Sequence, residues 1–291
     1  MTKKQNPPRR HHFIPQMMLR HFTNEKGQLW FWRRDFAKGD IRTNATQNLF
    51  VVNDLYTLVH PDGTEDIALE TFFADMEGAG AKFIDDLAAI VRNGEKPDLD
   101  KGAWHFWDHF FYYHLKRAPG AIAAFAEQMD FDDKIAATVE KIRATRAETG
   151  RDPDEAGLHA RVAKNAVIVA QAAAPSPEVL AQFEKMGLAI YRITDPARSF
   201  IVGDVPGAAA PFRLPGGRWS RKTLFIPLTS DIAVGQLART RDVEIIEVDM
   251  EQVRLMNEAT AARSTVIAGR SEPLLASLSH HIGYVGVQPL E

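Results

Sequence analysis

Glu70 and Glu77, two acids seven residues apart, are the first groups in this sequence whose spacing could do chemistry. At about 100° per residue of helix they lie within roughly 20° of each other. They sit at the rim of an apolar stripe made by Leu69, Phe72, Phe73, Met76, Phe83, Ile84, Leu87, Ile90 and Val91, while Asp75 and Asp85 fall on the opposite, solvated side. Two helical turns separate their Cα atoms by about 10 Å along the axis, so they share a site only by reaching toward each other or toward a common third group. A half-buried carboxylate needs a cation, a metal or hydrogen-bond donors beside it. Either these acids belong to a reactive centre, or they pair with a nearby Arg and cap a loop.

Three further groups could complete such a centre. Adjacent His11 and His12 precede the apolar run FIPQMML; in an extended segment neighbouring side chains face opposite ways, so one imidazole can point inward while the other meets solvent. Two ligands for one metal are not expected from adjacent positions, and a structural histidine competes with a ligand. Pro15 keeps the backbone extended before Gln16, and Met17, Met18, Leu19 and Phe22 are expected anchors of a short helix. Arg117, at the end of an aromatic helix, can neutralise the helix C-terminal dipole or grip a carboxylate or phosphate with two parallel hydrogen bonds. Asp204 follows the strand SFIV in a Gly-Asp-Val-Pro turn; a carboxylate there is either a site residue on a rigid strand end or an Asx turn. The same aromatic helix carries His105, Asp108, His109 and His114, but not the His-Glu-x-x-His arrangement of a zinc protease.

Composition narrows the chemistry. No cysteine occurs among the 291 residues, which removes disulfides, thiolate metal sites and cysteine nucleophiles, so any metal must use His, Asp or Glu. A formal charge of −3 gives no overall attraction to phosphate backbones; Lys3, Lys4, Arg9 and Arg10 concentrate positive charge at the N-terminus, where a solubilising tail is the simpler reading. No apolar run reaches the roughly 18 to 20 residues a bilayer requires, and no secretory signal follows the basic start, which makes the cytoplasm the expected location. Walker, Rossmann, nucleophile-elbow and EF-hand patterns do not occur.

The elements that must position these groups change in pattern along the chain. Residues 1–60 read as a β-rich segment, with a hairpin expected over Leu29 to Thr43 and turn chemistry at Asn53-Asp54 and Pro61-Asp62-Gly63. Residues 61–175 read as a helical block: Asp66 to Asn93, Lys101 to Lys116, a break at Pro119 and Gly120, then segments around Asp132 to Glu148 and Asp154 to Ala173. Residues 176–291 alternate strand-like runs (LAIYRIT, SFIVGD, TLFIPLT, IAVGQLA, VEIIEVD) with a helix capped by Asp249 and a last helix at SEPLLASLSHH. Strands gathered after a helical block predict an α+β fold ending in a small, mostly antiparallel sheet with helices, as one integrated domain or two closely packed lobes. Trp30, Trp32 and Trp104 are expected in the core.

With HHFIPQMMLRHF, GQLWFWRRD, NDLYTL, ALETFFADMEG, HLKRAP, FIVGDVP, LFIPLT and MNEATAAR in that order, the chain resembles the bacterial family known as domain of unknown function 4238 over nearly its whole length. The resemblance marks His12, Pro15, Glu70, Glu77, Arg117, Asp204, Pro206, Pro227 and Asn257 as family positions. It also implies Gln where this chain has His114, Ser where it has Gly203, and Asn where it has Val205, so the polar rim around Asp204 is poorer here. The resemblance supplies no activity. One expectation is a hydrolase of phosphodiesters, nuclease-like, with Mg²⁺ or Mn²⁺ on Glu70, Glu77 and Asp204, His12 as base or further ligand, and Arg117 on the phosphate of a nucleic acid or other ligand. The other is a non-catalytic binding or regulatory protein, in a bacterial stress or phage-defence setting, in which Glu70 and Glu77 pair with Arg117 and the histidines are core fixtures.

Overall fold

The computed structural model describes residues 9–119, 131–150, 152, 156–213 and 218–281. Lys3 and Lys4 of the basic start, Gly120 of the expected break and Asp154 of the expected helix start lie outside these residues. In chain order the elements are β1 (Arg10–His12), α1 (Gln16–Leu19), β2 (Gln28–Arg33), β3 (Arg42–Ala45), β4 (Val51–Asn53), β5 (Leu58–Val59) and β6 (Glu65–Asp66). The helices α2 (Ala68–Arg92), α3 (Lys101–Lys116), α4 (Phe131–Glu148), α5 (Leu158–Ala172) and α6 (Pro177–Glu184) follow. The chain then runs through β7 (Gly187–Arg192), β8 (Val202–Gly203), β9 (Ala208–Ala210), β10 (Thr223–Pro227), β11 (Ile232–Leu237), β12 (Val243–Glu247), α7 (Met250–Arg263), β13 (Val266–Gly269) and α8 (Glu272–Ser279). The fold is α+β, with mostly antiparallel sheets.

Local chemistry sets the helix starts. Asp100 accepts a hydrogen bond from the Ala103 amide at 2.7 Å and Asp249 one from Gln252 at 2.8 Å, each satisfying a donor that the first helical turn leaves without a partner. Ser176 and Ser271 cap α6 and α8 in the same way, each with Pro in the following first turn.

By packing, the chain divides into two compact units, one of Met1–His11, Val52–Asp75 and Pro119–Ala174, the other of His12–Val51, Met76–Ala118 and Pro175–Glu291. In the first unit α4 and α5 bury Ile135, Val139 and Leu158 against each other. Asn165 of α5 holds β5 through both its amide groups, donating to Val59 O at 2.8 Å and accepting from Val59 N at 3.1 Å. Tyr56 is fully buried there, stacked on His11 and edge-on to Phe73.

The second unit contains two sheets. One has the order β12-β7-β11-β10-β9, with β12 parallel to β7 and the other pairs antiparallel. Its residues Leu188, Ile190, Ile226, Val234 and Val243 pack with Ile84, Leu87, Val91, Trp104, Trp107 and Phe110 of α2 and α3. The period-two alternation of the strands leaves Ala189, Tyr191 and Gly235 on the opposite face. The other sheet has the order β3-β2-β13-β8: the N-terminal hairpin, with Trp30 opposite Thr43, receives β13 from the far end of the chain, with Ala268 opposite Phe31. The C-terminal strands are therefore shared between two sheets, because β8 and β13 complete a sheet that the hairpin begins. Trp32 and Trp104 are buried as expected, and Trp30 is half-buried.

Candidate functional site

In the first unit, the histidine that points inward is His11, fully buried, while His12 keeps partial exposure, as strand alternation requires. The Tyr56 amide donates to His11 Nδ1 at 2.9 Å, so that nitrogen is an acceptor and the ring proton sits on Nε2. Glu70 Oε2 stands 3.7 Å from the same Nδ1, but with the lone pair directed at the Tyr56 amide this proximity is not a charge-assisted hydrogen bond. Glu70 is half-buried, with a side chain 20% exposed.

In the second unit, Arg117 is the C-cap of α3 and only 1% exposed. Its Nη2 donates to the carbonyl of His12 at 2.6 Å and to Glu77 Oε1 at 2.8 Å. The guanidinium thus ties the end of β1 to α2 and α3 through a carbonyl and a carboxylate. His12 contributes its backbone to this cluster; its ring Nε2 lies 3.3 Å from Thr46 O, and since a carbonyl only accepts, Nε2 is the donor. Gln16 reaches the Thr46 hydroxyl at 3.2 Å, so two side chains converge on one residue of the turn after β3.

Asp204 has other partners within the same unit. Its Oδ1 accepts from the Thr265 amide at 2.8 Å, its Oδ2 accepts from the Thr265 hydroxyl, and its own amide donates to Val266 O at 3.0 Å. The carboxylate fastens the residue before β13 to the end of β8 by hydrogen bonds across 61 positions, which is not an Asx turn, since residue 206 is Pro and has no N–H to give. Among the described residues no group of three or more His, Asp or Glu is placed to hold a metal ion. Within the second unit, Glu77 and Asp204 each engage other partners, Arg117 and Thr265. Of the residues singled out from sequence, Glu77, Arg117 and the His12 backbone are brought together, while the carboxylate of Asp204 is engaged with Thr265 and Glu70 belongs with His11.

Two positions at which the resemblance implies another residue have telling surroundings. A Cβ at Gly203 would fall 2.0 Å from Ser264 Oγ and 2.9 Å from Ser264 Cβ. The Ser264 hydroxyl, fully buried and donating to Thr260 O at 2.8 Å, holds the space that a side chain at position 203 would take. Gly203→Ser is expected to lower stability by about 1–3 kcal/mol through overpacking, and Gly203→Ser combined with Ser264→Gly to recover most of it. Chemical denaturation of the four proteins of this cycle measures the coupling; additive losses would mean that the two side chains do not compete for one space.

The second such position is His114. Its ring is buried, stacked parallel to Phe110 at 5.6 Å, and Nδ1 has no hydrogen-bond partner among the described residues. Burial first, and the charge of Arg117 second, push its pKa down to about 3. The imidazole is thus a neutral core residue, and no proton relay runs through it at ordinary pH.

Several contacts could not be read from local spacing. Asn257 accepts from Ile201 N at 3.1 Å and donates to Ser199 O at 2.9 Å, fixing the segment before β8 to α7. Asp108 takes both ends of the Arg241 guanidinium at 3.1 and 2.7 Å, with that cation 4.9 Å from the Trp104 ring centroid. Arg241 has φ 51°, a left-handed backbone conformation that this double hydrogen bond helps retain. His11 could have been preferred over His12 only with knowledge of which strand face meets the core.

A family model described as a protein of unknown function, DUF4238, matches residues 10–272. No curated protein and no solved structure matches the chain. Among the described residues no helix is long and apolar enough to cross a membrane.

Proposed function

The chain belongs to the DUF4238 family, which brings no activity with it, and we propose that it works as a non-catalytic binding or regulatory protein. The observation that carries this reading is the Arg117 clamp: a nearly fully buried guanidinium bonded at once to His12 O and Glu77 Oε1. Buried charges of this kind lock elements in register, and removing one partner costs far more than the pair contributes net. Glu77 and Arg117 have that task, Asp204 has Thr265, and His11 has the Tyr56 amide. A bacterial cytoplasmic setting, in stress response or phage defence, belongs to the same proposal.

The competing reading is a Mg²⁺- or Mn²⁺-dependent nuclease or phosphodiesterase acting on a nucleic acid or another phosphate ligand. It gains support from a guanidinium beside a half-exposed carboxylate, a pair that could turn to a phosphate. The two are separated by assaying the wild type and Glu77→Gln with each metal on single- and double-stranded DNA, RNA and a chromogenic phosphodiester. The binding reading expects no metal-dependent cleavage by either protein. Cleavage by the wild type that drops at least a hundredfold in a folded Glu77→Gln would sink it.

A further inference from the structure

His105 and His109 lie one turn apart on α3, where His105 is exposed and His109 partly exposed. Side chains four apart on a helix share a face, so the pairing follows from the helix period. The geometry of the two rings does not: their centroids are 4.3 Å apart, with planes inclined at 45°. His109 Nδ1 stands 2.9 Å from the carbonyl of His105. A carbonyl only accepts, so Nδ1 carries the proton and the free lone pair of His109 is on Nε2. No hydrogen bond or ion pair engages the His105 imidazole among the described residues.

Two neutral imidazoles placed in this way are a chelate for a late first-row divalent metal, the class of cation that favours imidazole nitrogen. With metal–nitrogen bonds of about 2 Å, two imidazoles on one ion have centroids about 4.5 Å apart at a right angle and about 5 Å apart at the tetrahedral angle. The observed 4.3 Å is close to the first of these. The bond from His109 Nδ1 to a backbone carbonyl is the outer contact that metal-bound histidines commonly make, and it fixes both the tautomer and the direction of the ring. Lys101 and Glu184 border, with His105, a cleft of about 590 Å³, so the ammonium that would oppose a metal ion faces a compensating carboxylate. Asp108 of the same cleft is held by Arg241. Among the described residues no third His, Asp or Glu completes the set, which leaves water to fill the other coordination positions. Nitrogen ligands without a carboxylate select against Mg²⁺ and Mn²⁺, which take oxygen.

We propose that His105 and His109 form a two-histidine site for a late first-row divalent metal, bound through His109 Nε2 and one ring nitrogen of His105 in adjacent coordination positions. Cu²⁺ binds there more tightly than Ni²⁺ or Zn²⁺. Phe106 occupies the place where a zinc protease has its Glu, so the metal is held without the general base of that chemistry. The site uses neither Glu77 nor Arg117 and goes beyond the reading of function above.

Calorimetric titration of the full chain with NiCl₂, beside His105→Asn, His109→Asn and the double variant, tests it. The wild type is expected to bind one Ni²⁺ at this site with Kd on the order of 10–100 µM. Each single variant is expected to weaken that event at least tenfold, and the double variant hardly more, because the chelate belongs to the pair. Both substitutions lie on the surface, so Tm without metal is expected within about 2 °C of the wild type. Cu²⁺ on the wild type should show superhyperfine coupling to two nitrogens in its electron paramagnetic resonance spectrum, and to fewer on either variant. Mg²⁺ at about 5 mM should not compete. No Ni²⁺ binding up to about 1 mM, affinity unchanged in both single variants, or displacement by Mg²⁺ would overturn the proposal.

Discussion

Replacing Arg117 by Met is expected to destabilise the second unit by about 3 kcal/mol, visible as a lower denaturation midpoint. The substituted chain would leave His12 O without its 2.6 Å donor and Glu77 without its cation, where Ile84 of α2 and Phe110 of α3 are core. The loss is set at the lower end of the range for buried pairs because the Glu77 side chain keeps 22% exposure and part of its hydration. Arg117→Met with Glu77→Gln should recover some stability, since an amide tolerates burial better than an unpaired carboxylate. Arg117→Lys should fall between, because one ammonium replaces a planar fork with fixed donor directions. A change below about 1 kcal/mol in Arg117→Met would show that the clamp is not what holds β1 to the two helices.

The second large effect is a pH dependence that His114 imposes. Its folded pKa, about 3, lies below the value near 6.5 of an exposed histidine. Between those values the unfolded chain binds a proton that the folded chain does not, so stability rises with pH there and is lost as pH falls. The loss amounts to about 1.4 kcal/mol per pH unit below 6.5 and levels off near pH 3, on the order of 5 kcal/mol in all. Gln, the residue that the family resemblance places at this position, has no such titration. His114→Gln is therefore expected to lose less stability on acidification than the wild type, the difference between the two denaturation midpoints changing steadily from pH 6.5 to pH 4 and staying constant above pH 7.5. Parallel stability curves for the two proteins over that range would mean that the ring accepts a proton in the folded state.

Both effects arise from α3, and the reading of that helix illustrates how far the sequence reaches. Trp104, Trp107, Phe110 and Phe111 surround its axis too completely for an exposed helix, and their burial follows from hydrophobicity and period alone. That His114 would have to stay neutral does not follow, because it depends on the residues brought around it by other segments. The same holds for α2. Its stripe and the half-buried rim positions of Glu70 and Glu77 could be read from the spacing, yet which groups stand beside each acid is decided elsewhere in the chain, by Arg117 for Glu77 and by the His11–Tyr56 contact for Glu70.

By itself the sequence determined the element types, the α+β class, the main helices, the hairpin over Leu29 to Thr43 and the list of polar groups on apolar elements, because these depend on local period, propensity and turn chemistry. Only the tertiary structure decided that β13 joins the N-terminal hairpin, that Ser264 fills the space at Gly203, and that the His12 carbonyl rather than its ring meets Arg117. Contacts such as these join residues tens to hundreds of positions apart, and no local spacing encodes which of the many possible partners a side chain meets once the chain has closed on itself.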